Sequence, residues 1–130
     1  MKSIQKLQDD VKQWSDNTFG EHRTGLPIAH HLKKEIDEVI DAIKVRQEGW
    51  KYHPKSGKLS SVTANMLQRE RDRVKYELAD CLMLLIDSAA HEGILMTELI
   101  DASFDKLEIN KTREWGKPDE NGVIEHIHKE

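Results

Sequence analysis

Apolar residues recur at steps of three and four along four stretches of this sequence, which is the spacing of one face of an α-helix. We predict helices over about 3–16, 27–47, 62–90 and 98–113. Prolines stand only at positions 27, 54 and 118, so no proline interrupts the span from 55 to 117. The pattern therefore predicts an all-α fold.

The apolar positions also predict which face of each helix is buried. The expected core stripe of the first helix is Ile4, Leu7, Val11 and Trp14. The stripe of the second is Leu32, Ile36, Val39 and Ile43, and that of the fourth is Ile100, Phe104 and Leu107. The stretch 78–86 is apolar nearly all round, so we expect the third helix to lie at the centre of the fold.

The segments between the predicted helices carry turn signals. We expect loops around 17–26 and 49–61, an end of the third helix at Gly93, and Thr97 as the cap of the fourth. A polar turn or tail is expected from about 117, with Trp115 anchoring it on another helix. With 130 residues, the chain is expected to form a single domain, 1–130.

Charge and cysteine content exclude several classes of protein. Lys and Arg number 20 against 24 Asp and Glu, so the net charge of -4 has the wrong sign for a protein that binds nucleic-acid polymers. One cysteine cannot form an internal disulfide, and the longest apolar run, Leu82 to Ile86, is too short to span a membrane. A cytoplasmic location is the expectation that fits these features.

Two pairs of acids, Glu35-x-x-Glu38 and Glu77-x-x-Asp80, have a spacing that places both carboxylates on one helix face. On a helical projection, Glu35 lies about 60° from Leu32 and Glu38 about 120°, so both border the predicted core. In the third helix, Asp80 is the only charge in the stretch 78–86. Acids in such positions are costly to desolvate unless they have a partner.

Four carboxylates on two facing helices repel one another unless a cation neutralises them, and hard oxygen ligands suit Mg²⁺ or Mn²⁺. A divalent metal site is therefore one hypothesis. The alternative, which the spacing leaves open, is that these acids are ordinary surface charges or ion-pair partners of Lys34, Arg73 and Lys75.

The fourth predicted helix separates its charges. Lys106, Asn110 and Arg113 fall within about 60° of one another on one flank of the apolar stripe, while the acids of this helix fall on the other. Cations and an amide donor near a carboxylate-held metal are suited to a polyphosphate. Complementation of the helix C-terminus is the alternative explanation, although it does not account for the shared face of Lys106 and Asn110.

Together, these motifs resemble the MazG-like all-α NTP pyrophosphohydrolases over most of the chain. The motifs that carry the resemblance are Glu35-x-x-Glu38, Glu77-x-x-Asp80 and Lys106-x-x-x-Asn110-x-x-Arg113. Other stretches look most like the dATP/dGTP diphosphohydrolase branch, which includes the MazZ-type enzymes of phages. They comprise Trp14, Phe19-Gly20, His31-Leu32, the run 113–118 and Gly122-Val123.

The resemblance implies a bundle of four to five helices, with the acidic motifs on two facing helices, that works as a homodimer or tetramer. It implies cleavage of a purine (deoxy)nucleoside triphosphate, dATP or dGTP, to the monophosphate and pyrophosphate with Mg²⁺ or Mn²⁺, in a bacterial cytoplasm or in that of a phage host. The implied metal ligands are Glu35, Glu38, Glu77 and Asp80. The implied phosphate contacts are Lys106, Asn110 and Arg113. Of the acids, Glu35 and Glu38 are the candidates for catalysis, and the more exposed Glu38 is the candidate general base.

Recognition of the base requires aromatic surface and a few aimed polar groups. The candidates are Trp14, Phe19, His30 and His31. Trp14 continues the apolar stripe of the first helix and is expected to be core rather than a stacking surface. His31 lies beside Glu35 and can face the sugar.

Other functions compete with this hypothesis. A di-iron helical bundle requires Glu-x-x-His on two helices, whereas the only such motif here is Glu125/His128 in the tail. A non-catalytic nucleotide-binding or oligomerisation module would make the acids incidental. Within the same superfamily, house-cleaning or pyrimidine-specific pyrophosphatases share the acidic and basic motifs.

Overall fold

The computed structural model describes residues 3–50, 57 and 60–128, and the all-α prediction is confirmed. Its four helices are α1 (Ile4–Phe19), α2 (Gly25–Trp50), α3 (Ser61–His91) and α4 (Met96–Thr112). They fall into two compact units, Met1–Met96 and Thr97–Glu130. Most of the loop predicted over 49–61 lies outside the described residues.

Helix ends follow local capping chemistry. The hydroxyls of Ser3 and Ser60 accept hydrogen bonds from the backbone N–H groups three residues further on, which caps α1 and α3. Gly20, at φ 108°, and Gly93, at φ 75°, follow the last turns of α1 and α3, in a backbone region that favours glycine. The predicted stop at Gly93 is therefore correct. Thr97 is not the cap of α4, because this helix begins at Met96.

Helices α2 and α3 pack antiparallel. The backbone N–H of Gly25, at the start of α2, donates a 2.8 Å hydrogen bond to Oε1 of Glu92 just after α3. At the other end of α2, Gly49 packs against the Glu70 carboxylate. Helix α1 packs on α3 as well, so α3 is the central helix of the first unit, as predicted.

The core of the first unit differs from the predicted stripe of α1. Its buried α1 residues are Gln8, Val11 and Ser15, whereas Trp14 is 58% exposed. The helix is turned this way because Gln8 Nε2 donates to the backbone oxygens of Ile86 (3.3 Å) and Ile94 (2.9 Å). Burial of a polar side chain is tolerated where its hydrogen bonds are made. The expectation that Trp14 is a core residue is wrong.

A second apolar surface lies uncovered on α2 and α3. In α2 the buried line runs through Ile28, Val39 and Ala42. Apolar side chains beside it, and others on α3, stay 39 to 50% exposed: Ile36, Ile40, Ile43, Leu78, Leu82 and Leu85. In an antiparallel pair, the helical projection places both groups on the same side. We call these six residues the apolar face.

In the second unit, the predicted core stripe of α4 is not buried, since Ile100, Phe104 and Leu107 are all exposed. The tail is more ordered than expected. The backbones of Trp115 and His126 pair, and the indole Nε1 of Trp115 donates to the Asn110 carbonyl oxygen at 3.0 Å. This bond ties Trp115 to α4, the helix that directly precedes the tail, whereas another helix was expected. None of the described helices combines the length and the apolar character that a membrane span requires.

Candidate active site

Three of the four acids singled out in the sequence come together between α2 and α3. Carboxylate oxygens of Glu35, Glu77 and Asp80 lie within 4.8 Å of one another. Glu77 and Asp80 are one helical turn apart on α3, and Glu35 faces them from α2. We call these three residues the acidic cluster.

The three side chains of the acidic cluster differ in how far they are buried. Glu35 and Glu77 are half-buried, whereas Asp80 is exposed. Behind them, burial raises the pKa of the Cys81 thiol, and the negative charges of Glu35, Asp80 and Glu77 raise it further. The buried Cys81 therefore stays a protonated thiol and is no nucleophile.

The donor set of the acidic cluster fits a hard divalent cation. Three carboxylates at such short separations repel one another, and a cation placed among them removes that cost. Oxygen donors are the ligands that Mg²⁺ and Mn²⁺ prefer. The residues present are therefore those that such a metal requires.

The fourth predicted acid behaves differently. Glu38 lies one turn beyond Glu35 on α2, is exposed, and does not belong to the cluster formed within the described residues. His31, one turn before Glu35, has its Nε2 3.2 Å from Glu35 Oε1. Glu35 is thus positioned by a neighbour on its own helix, while Glu38 remains open to solvent.

A cavity of about 300 Å³ opens beside the acidic cluster, between α1, α2 and α3. This is large enough for a small-molecule ligand. Its apolar lining consists of Val11, Trp14, Phe19, Met83 and Leu84. Its polar lining consists of Arg23, His31, Glu35, Asp80 and Asp87. His30, the remaining candidate from the sequence, does not line it.

The aromatic wall of the cavity is built locally by the end of α1. The Trp14 and Phe19 rings meet edge to face, with centroids 5.4 Å apart. The guanidinium of Arg23 lies 4.8 Å from the Phe19 centroid and donates to Ser15 Oγ at 3.3 Å. An exposed, supported aromatic pair beside polar groups is suited to stacking a planar ligand.

Asp87 is a cavity residue that the sequence reasoning missed. Its side chain is 5% exposed, and Oδ1 has no hydrogen-bond partner in the described part of the chain. The sequence could have identified Asp87, because it follows Asp80 by seven residues and this spacing places both acids on nearly the same face of α3. Nearby, buried His91 Nε2 contacts Asp16 Oδ1 at 2.9 Å.

The predicted phosphate contacts lie in the second unit. Arg113 donates from Nη1 to Asn110 Oδ1 at 3.0 Å, so these two side chains are held together at the end of α4. Lys106, one turn earlier, is exposed. The tail adds His126, whose pKa is lowered by burial and by the nearby charges of Arg113 and Lys106. No feature of the sequence distinguishes His126 from a residue of a solvated tail.

Two comparisons show which known proteins this chain is similar to. Residues 55–130 match the dATP/dGTP pyrophosphohydrolase family, a range that includes Glu77 and Asp80 but not Glu35. The chain is also 37% identical, over 125 residues, to the dATP/dGTP diphosphohydrolase of Cyanophage S-2L. That match spans 96% of this chain and 89% of the relative. No solved structure matches the chain. The extent of both matches shows that this protein belongs to the dATP/dGTP pyrophosphohydrolase family.

Proposed function

We propose that this protein hydrolyses a purine deoxynucleoside triphosphate, dATP or dGTP, to the monophosphate and pyrophosphate, and that it requires Mg²⁺ or Mn²⁺. The observation that carries the proposal is the cavity in which an acidic cluster and an exposed aromatic pair meet. The cyanophage relative, which is a dATP/dGTP diphosphohydrolase by name, supports the same reaction.

In this proposal Glu35, Glu77 and Asp80 hold the metal. When bound, a divalent cation polarises phosphoryl oxygens and screens the charge of the leaving pyrophosphate. His31 orients the Glu35 carboxylate through their contact. Trp14 and Phe19 stack the purine, and His31 faces the sugar.

The remaining roles go to residues that the family resemblance singled out. Glu38 is the general base, because it is exposed and outside the cluster of ligating oxygens. It takes a proton from the attacking water, whose oxygen bonds to phosphorus as the bridging P–O bond between the α and β phosphates breaks and the monophosphate and pyrophosphate separate. Lys106, Asn110 and Arg113 bind the phosphate oxygens, for which a guanidinium and an amide are suited.

The test is a substrate panel. The purified protein is incubated with each common dNTP and rNTP, with Mg²⁺, with Mn²⁺, or with EDTA, and nucleotides and phosphates are resolved. The proposal predicts monophosphate and pyrophosphate from dATP or dGTP, dependent on metal and abolished in Asp80→Asn. Asp37→Asn is the matched control, because Asp37 is an exposed acid on the opposite side of α2.

Other results of the substrate panel would overturn particular parts of the proposal. Turnover restricted to pyrimidine nucleotides keeps the chemistry and overturns the purine assignment. Full activity in EDTA, or in Asp80→Asn, overturns the metal site. Absence of turnover of any nucleotide leaves the non-catalytic binding module as the better explanation.

We also propose that the apolar face binds a second copy of the chain, forming a homodimer or tetramer. Six large apolar side chains on one side of a helix pair form a patch of the kind that marks an interaction site. Leu82→Glu is expected to lower the molar mass measured by light scattering to that of a monomer. Val45→Glu, an exposed position away from this face, is expected to leave the mass unchanged. A monomeric wild type contradicts the proposal.

A further inference from the structure

Asp87 combines burial with an unsatisfied carboxylate oxygen. It lines the cavity, its side chain is 5% exposed, and Oδ1 accepts no hydrogen bond from the described residues. His91 Nδ1 lies 3.1 Å from this oxygen but is aligned on the backbone oxygen of Asp87, at 2.9 Å. Leaving a buried carboxylate oxygen without a donor is costly, and the cavity that Asp87 lines is where a bound ligand can bring a donor to this carboxylate.

The chemistry of Asp87 limits which part of a nucleotide it can contact. An ionised carboxylate only accepts hydrogen bonds, so its partner must carry N–H or O–H groups. Phosphate oxygens carry negative charge and are repelled by it. The sugar hydroxyl and the base remain as possible partners of the Asp87 carboxylate.

The position of Asp87 along α3 shows whether it lies nearer to the sugar or to the base. Asp87 follows Asp80 by seven residues, which corresponds to about 10.5 Å along the helix axis. The phosphates are expected at the acidic cluster, which contains Asp80. Asp87 is therefore two turns away from the phosphate end of the cavity, in the direction that the base must take beside Trp14 and Phe19.

We propose that Asp87 determines base specificity by accepting hydrogen bonds from the Watson–Crick edge of guanine. This inference rests on the proposed function. Guanine presents N1–H and the 2-amino group side by side, which match the two oxygens of a carboxylate. Adenine presents only its 6-amino group beside N1, a lone-pair acceptor that faces a carboxylate unfavourably. Of the two purine substrates, dGTP is the better one.

The test compares specificity ratios, which do not depend on the fraction of folded enzyme. The values of kcat/KM are measured for dGTP, dATP and deoxyinosine triphosphate, which keeps N1–H and lacks the 2-amino group. A bidentate contact discriminates by roughly 5- to 150-fold. Wild-type protein is therefore expected to prefer dGTP over dATP within that range, and over deoxyinosine triphosphate by several-fold.

Asp87→Asn replaces one acceptor by a donor without changing size. The dGTP/dATP ratio is expected to fall at least about tenfold, because an amide can pair with the N1 and 6-amino groups of adenine. The preference for dGTP over deoxyinosine triphosphate should fall in parallel. Asp37→Asn is expected to leave all ratios unchanged.

Three outcomes overturn the inference. An equal loss on all three nucleotides in Asp87→Asn means that Asp87 supports His91 or binds the sugar. Equal wild-type turnover of dGTP and deoxyinosine triphosphate excludes contact with the 2-amino group, with no variant required. Failure of the wild type to hydrolyse any nucleotide is a separate result, which overturns the proposed function itself and this inference with it.

Discussion

The substitution Glu77→Gln tests whether the acidic cluster is a metal site or an ordinary group of surface acids, and the test does not require a measurement of enzyme activity. The substitution keeps the size of the side chain and removes one negative charge from the acidic cluster. The carboxylate oxygens lie within 4.8 Å of one another, and at that largest separation two unit charges repel by about 0.9 kcal/mol in water and about 3.5 kcal/mol at an effective dielectric of about 20. Because these acids are half-buried or exposed, the lower part of this range applies. We expect a gain of about 1 to 2 kcal/mol in the unfolding free energy of the metal-free protein.

The assay is thermal unfolding in EDTA and in excess Mg²⁺ or Mn²⁺. A gain of about 1 kcal/mol raises Tm by roughly 3 to 6 °C for a domain of this size. In the wild-type protein, metal at a concentration of 100 times its Kd adds about 2.7 kcal/mol to the free energy of unfolding. The variant should therefore unfold at a higher temperature than wild type in EDTA and lose most of the increase that metal produces.

The refuting result is equally specific. If Glu77→Gln unfolds at the same or a lower temperature in EDTA and still gains stability from metal as wild type does, the three carboxylates do not form a metal site. Asp37→Asn serves as the control, since its removal of one acid outside the cluster should alter neither the Tm in EDTA nor the response to metal.

Three further substitutions test other parts of the account. Trp14→Ala should reduce kcat/KM for the preferred nucleotide by roughly 5- to 150-fold, the value of one stacked base, while changing Tm little because Trp14 is largely exposed. Gly25→Ala should destabilise the protein by about 1 to 3 kcal/mol in urea unfolding, because a Cβ there would meet the Glu92 side chain at 2.8 Å. Asp16→Asn should lower stability at neutral pH, because a hydrogen bond from Lys12, followed by one from His91, lowers the pKa of Asp16 below 3.8. That difference should vanish as the pH falls through this lowered pKa.

Each of these three has its own check. For Trp14→Ala, a fall in Tm comparable to that of a core truncation would mean that the indole is structural. For Gly25→Ala, the control is Gly116→Ala, where a Cβ meets its nearest neighbour only at 3.4 Å. For Asp16→Asn, a stability difference that persists in acid contradicts the assigned ion pair with Lys12.

The acidic cluster was predictable from the sequence because its determinants are local. Spacing by three places Glu77 and Asp80 on one helix face, and the periodicity of α2 places Glu35 at the edge of its buried line. Antiparallel packing of two consecutive helices then brings them together. The family resemblance pointed to the same three residues and also to Glu38, which lies outside the cluster formed within the described residues.

The orientation of α1 was not predictable, because it depends on contacts with distant residues. Gln8 is buried by hydrogen bonds to backbone oxygens 78 and 86 residues further along the chain, and no periodicity reveals such bonds. They turn Trp14 out of the core and into the wall of the cavity. The sequence-based choice between core and stacking surface therefore favoured the wrong alternative.

The turn predicted in the tail is present, but the side chain that supports it was not predicted. The Asp119 side chain accepts hydrogen bonds from the backbones of Asn121 and Val123, at 2.8 and 2.9 Å. This turn lets the tail reverse direction and pair Trp115 with His126. Composition alone does not distinguish such side-chain-supported turns from solvated segments.

The proposed hydrolysis is tested most directly by the identity of the phosphorus products. ³¹P NMR of dGTP mixed with the protein and Mg²⁺ should show the triphosphate resonances replaced by dGMP and pyrophosphate in equal amounts, with no dGDP. Asp80→Asn under the same conditions should leave the spectrum of dGTP unchanged. Appearance of dGDP with inorganic phosphate, or unchanged dGTP with the wild-type protein, would contradict the account.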